Sequence, residues 1–247
     1  MKAIFLTITL FTCLFNCYSQ LDLNGKDKSI SRAYKYKMTI VVWGLEKISR
    51  MKVEAAAINK KEGVTDYSGF LKQHQYDSLT VRQKFTYAMM YPETFAQICS
   101  ISLETESEDK IIKFYLPRLS GDFQLSQRQR NFLIRNKDSV SFYIKELTQL
   151  NHQMGLNLKN AIAIANITEL IPLIISEYRA NTHDHYLLTL LIHLMEQNKS
   201  PEFLESSFFK EVAKNGSYYN ASVAYTASNV EYVISSALKF YYAQNKK

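Results

Sequence analysis

The sequence predicts an all-α fold, and three observations carry that expectation. Glycine and proline are scarce, 7 and 4 in 247 residues, too few for the many tight turns of an all-β domain. Apolar residues recur three and four positions apart along most of the chain, the period of a helix with one buried face. Ser, Thr and Asp stand just ahead of several of these runs, where a side-chain oxygen accepts the free N–H groups of a first helical turn. The expected architecture is a single irregular multi-helix bundle of about nine or ten helices.

The chain opens with a different signal. Lys2 is followed by an apolar run from Ala3 to Phe15, then by Asn16-Cys17-Tyr18-Ser19-Gln20. One charge, a short apolar stretch and small residues at Cys17 and Ser19 are the layout of a cleavable secretory leader, with the mature chain beginning at Gln20. The run is too short to span a bilayer, which takes about 20 apolar residues. The competing reading, a lipid anchor on Cys17, fits less well because Asn16 stands where a small residue is usual. The predicted organisation is residues 1–19 as signal peptide, 20–28 as a flexible polar arm, and 29–247 as one helical domain. Cleavage removes Cys13 and Cys17 and leaves Cys99 alone. Without an intramolecular disulfide, stability has to come from an apolar core.

The helices are expected in this order. Ile30, Tyr34, Met38, Val41 and Leu45 share a helical face, with Gly44 as a kink or stop. Leu45 and Ile48 through Ile58 continue as a second helix to Lys61. Residues 62–79 form a loop with a short helical turn. Thr80 caps a helix carrying Val81, Phe85, Ala88 and Met89, which Pro92 ends. Pro92 can also open a helix bearing Phe95, Ile98 and Cys99, although 98–103 is a candidate short strand. The acidic run Glu104–Asp109 suits the N-terminus of a helix bearing Ile111, Ile112 and Phe114. Ser126 caps 127–135, Asp138 caps 139–150, and Gly155 precedes a helix near 158–165. Residues 169–179 and 185–197 make a helix pair that superficially resembles a HEAT-type unit. No second copy gives it a period. Pro201 opens a helix bearing Leu204, Phe208 and Val212. Asn229 caps the last one, with Val230, Val233, Ile234, Ala237, Leu238 and Tyr241 as its apolar stripe.

The chemistry-bearing patterns are mostly missing. The sequence has no Gly-x-Ser-x-Gly elbow, no Gly-rich phosphate loop and no dinucleotide fingerprint. No catalytic residue and no cofactor is assigned. Cys99 reads as a buried thiol. His183 and His185, with His193 two turns further on, are the only histidine cluster and are weak metal candidates, because a metal site needs three or four converging ligands. Asp184 reads more simply as a helix cap. Alternating Glu104, Glu106 and Glu108 fail the EF-hand spacing. Four Asn-x-Ser/Thr triplets, at Asn166, Asn198, Asn215 and Asn220, are expected by chance in so Asn- and Ser-rich a sequence. The formal charge of +7 is spread out. It allows an acidic partner without implying nucleic acid.

One feature stands apart. Tyrosine is abundant, at 17 residues, and crowds the last thirty positions. Tyr218 and Tyr219, in Asn-Gly-Ser-Tyr-Tyr-Asn, and Tyr225 are candidate protein-binding anchors, since Tyr among Ser, Gly and Asn is a common paratope composition. The expected function is therefore that of an exported, non-catalytic protein of the bacterial envelope that binds another protein; a toxin-neutralising immunity protein is one concrete version. The alternative is an all-helical periplasmic hydrolase acting on cell-wall or glycan material, with acid and base residues dispersed in sequence. Neither version requires nucleic acid or a membrane span after cleavage.

Overall fold

The computed structural model describes Tyr34 and residues 37–61, 69–95, 108–117, 123–214 and 221–245. The expectations for the leader, the polar arm, Cys99, the 98–103 strand, Tyr218 and Tyr219 lie outside the described residues. The fold class is all-α. The described residues form eleven α-helices: α1 Leu45–Lys61, α2 Gln73–Asp77, α3 Val81–Met90, α4 Gln127–Arg135, α5 Lys137–Asn151, α6 Leu156–Ala165, α7 Ile171–Ala180, α8 Tyr186–Gln197, α9 Pro201–Leu204, α10 Ser207–Lys214 and α11 Ala227–Gln244. Single 3-10 turns cover Glu108–Lys110 and Thr168–Leu170. Four short strands form two antiparallel pairs: β1 Thr94–Phe95 with β3 Phe123–Gln124, and β2 Ile111–Lys113 with β4 Ser222–Ala224.

Capping decides several boundaries. Thr80 and Ser126 each head a capping box: the hydroxyl accepts the backbone N–H of Gln83 or Gln129, and that glutamine's side chain accepts the cap's own N–H. Two orphan donors are satisfied at each helix start. The last helix differs from the sequence expectation. Its cap is Thr226, whose hydroxyl accepts the N–H of Asn229 at 3.2 Å, so Asn229 lies inside the first turn. Asp138 likewise falls within α5, whose first residue is Lys137.

Parts of three predicted helices are something else. Residues 37–42 lie outside any helix, and their backbone is claimed from elsewhere in the fold. Asn157 accepts the Thr39 N–H at 2.9 Å and donates to the Thr39 carbonyl at 2.8 Å, imitating a neighbouring strand. The Thr39 hydroxyl accepts the Gly155 N–H at 2.9 Å. A Cβ on Gly155 would lie 2.2 Å from the Thr39 nitrogen, so this crossing needs glycine. Residues Ile111–Lys113 form a strand because both edges are satisfied. One edge pairs with β4 in the register Ile111↔Ala224, Ile112↔Val223, Lys113↔Ser222. On the other, Thr189 donates to the Lys113 carbonyl at 2.7 Å and His185 Nδ1 lies 3.1 Å from the Ile111 carbonyl. Phe95 belongs to β1, not to a helix opened by Pro92.

One large apolar cluster runs from Val41 to Phe240, and a smaller one gathers Ile48, Leu71, Tyr76, Leu79 and Tyr87. Helix α8 is central. It packs on α6, α7, α11 and β2, and residues 186–192 are all buried, as its apolar composition predicts. The pair α7–α8 matches the expected hairpin. Among the described residues, no helix is long and apolar enough to cross a membrane.

Candidate functional site

The sequence-selected residues do not meet at one place. His183 is exposed in the turn before α8. His185 is buried, its ring stacked 3.7 Å from that of Tyr225 at an interplanar angle of 16°. Burial pulls its pKa down, partly offset by the carbonyl at Ile111. His193 lies two turns along α8 and faces a separate cleft. Among the described residues no group of three His, Cys, Asp or Glu side chains could hold a metal. Tyr225 packs inward on His185. Its hydroxyl pairs with that of Tyr178 at 2.7 Å and donates to the Thr182 carbonyl at 3.2 Å.

Among the described residues, two ion pairs with an enclosed carboxylate join distant parts of the chain. Lys159 on α6 donates to both oxygens of Asp184, at 2.6 and 2.9 Å, with both side chains almost wholly enclosed. Asp184 also accepts the Tyr186 N–H, but the N-cap position of α8 is His185, one residue later. The lysine partner was not legible in sequence. Burial pushes the Lys159 ammonium down and the Asp184 carboxyl up, each partly offset by the other's charge. The second pair joins Glu93 to Arg128, with Tyr87 and Ser126 donating to the same carboxylate at 2.7 and 2.6 Å. Every one of these groups is engaged with another part of the fold, so both clusters read as structural.

The surface offers more. Trp43, in the turn before α1, lies against Tyr143 of α5, ring centroids 5.4 Å apart. The Arg82 guanidinium sits 4.0 Å above the Trp43 ring and 5.5 Å from that of Tyr143. It is held there by Glu146, which accepts from Arg82 Nη2 at 2.6 Å with both oxygens. Phe142, 60 % exposed, meets Tyr143 edge-on at 5.9 Å. Val42 and Leu150, 61 % and 68 % exposed, flank this cluster in sequence. Leu150 is two turns from Phe142 on the same side of α5. The signal in sequence was present. Val140, Ile144 and Leu147 define the buried stripe of α5, and Phe142 and Leu150 fall off it.

The second surface feature is a cleft of about 660 Å³ between α4, α6, α8 and the segments around β2 and β3. His193 and Glu196 line it from α8, Arg130 from α4 and Lys199 from the turn after α8. Burial lowers the pKa of His193 and raises that of Glu196. His193 stands out in the sequence; Glu196, one turn further on, does not. The chain matches no protein-family model, no curated protein and no solved structure.

Proposed function

We propose that this protein is an exported, non-catalytic binding protein of the bacterial envelope, and that a protein partner docks on the Trp43–Phe142–Tyr143 face. The observation that carries this is the Arg82-clamped Trp43–Tyr143 pair beside the exposed Phe142. Trp, Tyr and Arg are the residue types that dominate binding energy at protein interfaces. Rings already fixed by a cation and its carboxylate lose little freedom when a partner arrives, which is the advantage of preorganisation. An apolar centre on a chain of net charge +7 suits an acidic partner with a hydrophobic pocket. A toxin-neutralising immunity protein is the concrete version of this reading. The hydrolase alternative is less well supported. Glycoside cleavage ordinarily uses two facing carboxyl groups, and the described cleft lining carries only Glu196.

The test is calorimetry with candidate toxins encoded beside its gene, using wild type and Phe142→Asp. The variant places a charge on an exposed helical position and should keep the helical circular-dichroism spectrum. Tight binding by wild type and a loss of about a hundredfold or more in the variant is expected for a hot-spot residue. No binding by wild type removes the immunity version. Equal binding by the variant removes this face.

A further inference from the structure

We infer that the cleft between α4, α6 and α8 is a binding site for a small acidic saccharide, a sugar ring carrying one carboxylate. Its size lies within the usual range for small-ligand pockets, about 300–1,000 Å³. Its lining is mixed. Leu116 and Leu125 supply apolar wall, and Tyr115 supplies an aromatic ring. Among the described residues, the side chains of Arg130, His193, Glu196 and Lys199 make no hydrogen bond or ion pair within the protein. Four polar side chains, from α4, α8 and the turn after α8, thus line one concavity without a protein partner, Arg130 and Lys199 exposed and His193 and Glu196 half-buried. That contrasts with the Glu93–Arg128 and Lys159–Asp184 pairs, whose groups are engaged with the rest of the fold.

Charge sets the ligand's sign and valence. Arg130 and Lys199 bring two cations and Glu196 one anion when ionised, so the cleft complements a monoanion. A dianionic phosphate would meet the Glu196 carboxylate unfavourably. His193, neutral at pH 7 because burial lowers its pKa, offers one donor and one acceptor. With the Glu196 carboxyl, it matches the vicinal hydroxyls of a sugar ring.

The backbone at Lys199 is well defined. Its φ is +51°, the left-handed region in which a lysine is strained and a glycine is not. The turn is fixed by Lys199 N–H to the Glu196 carbonyl at 2.9 Å and Ser200 N–H to the Met195 carbonyl at 3.0 Å. It is further held by a reciprocal amide pair between Asn198 and Asn166. His152 and Asn166, at the ends of α5 and α6, share this left-handed conformation; at Lys199 the turn sets the residue on the cleft wall.

The experiment is titration calorimetry of the full chain with galacturonate and N-acetylmuramate, beside the methyl ester of galacturonate and lactate. At least one acidic saccharide should bind, the neutral ester about tenfold or more weaker, the loss of one charged contact. Lactate, which lacks the ring, should not bind measurably. Lys199→Gly should raise the melting temperature while weakening saccharide binding; Arg130→Gln should weaken it too. Binding should tighten as pH falls through the pKa of Glu196, which burial raises, because Glu196, beside Arg130, Lys199, His193 and Tyr115 in the cleft lining, loses its negative charge while the ligand keeps its own. Glu196→Gln should flatten that dependence. No binding by either acidic saccharide, equal binding of the ester or of lactate, or unchanged affinity in both Lys199→Gly and Arg130→Gln would each overturn the assignment. Phe142→Asp should bind the saccharide as wild type does, so this site and the protein-docking face stand or fall separately.

Discussion

Lys159 and Asp184 show how much a single buried residue can matter. Each charge is costly to bury alone, and each is tolerated because the other is 2.6 Å away. Replacing Lys159 by Met should cost about 3–5 kcal/mol, the usual loss when one member of a buried pair is left unpartnered. The double replacement Lys159→Met, Asp184→Leu should recover part of that loss. Urea unfolding of the two singles and the double, read as a mutant cycle, measures the coupling. Glu93 makes a prediction about pH. Burial alone would raise its pKa, but the donors of Arg128, Ser126 and Tyr87 outweigh that and hold it below its ordinary 4.5. A carboxyl depressed in the folded state stabilises fully above its unfolded pKa, and that stabilisation disappears as pH falls through the folded one. The stability gap between wild type and Glu93→Gln should therefore be widest near neutrality and close in acid, as followed by urea midpoints across that range. Asp184, whose pKa is raised, contributes with the opposite sign, but it is common to both proteins and cancels in the difference.

Among the elements, the ends matter most. Ser126 serves twice, capping α4 and donating to Glu93. Ser126→Ala should cost about 1–2 kcal/mol, at or above the typical loss of an N-cap, by thermal or urea unfolding. Gly155 lets residues 37–42 cross the start of α6. Gly155→Ala should cost about 1–3 kcal/mol, as overpacking does, because the new Cβ meets backbone that cannot swing aside. Asn166 and Asn198 matched a glycosylation pattern in sequence. In the fold they are helix-end residues whose amides bond each other at 2.7 and 2.9 Å, clipping α6 to α8 beside the cleft. Element identity was legible wherever an apolar stripe ran between a cap and a stop: α3, α4, α6, α7, α8 and α11 fall close to their expected bounds. It failed at residues 37–42 and Ile111–Lys113. There the deciding hydrogen bonds come from Asn157, His185 and Thr189, far along the chain.

Across the whole molecule, the core is concentrated around α8, and one apolar cluster links Val41 to Phe240. Unfolding followed by far-ultraviolet circular dichroism and by Trp43 fluorescence should therefore give coincident transitions; separate midpoints would show that the Trp43 region melts by itself. The sequence by itself determined the all-α class, the caps at Thr80 and Ser126, and the central apolar helix. All three depend on residues within one or two helical turns of each other, so local period and local hydrogen bonding suffice. Only the tertiary structure decided that His183, His185 and His193 part company, that Tyr225 turns inward onto His185, and that Arg82, Trp43 and Phe142 form an outward face. It also decided which carboxyl, Glu196, shares the cleft with His193. Those outcomes turn on which helices become neighbours. That is set by packing many partial stripes into one core, and no stretch of sequence carries it alone.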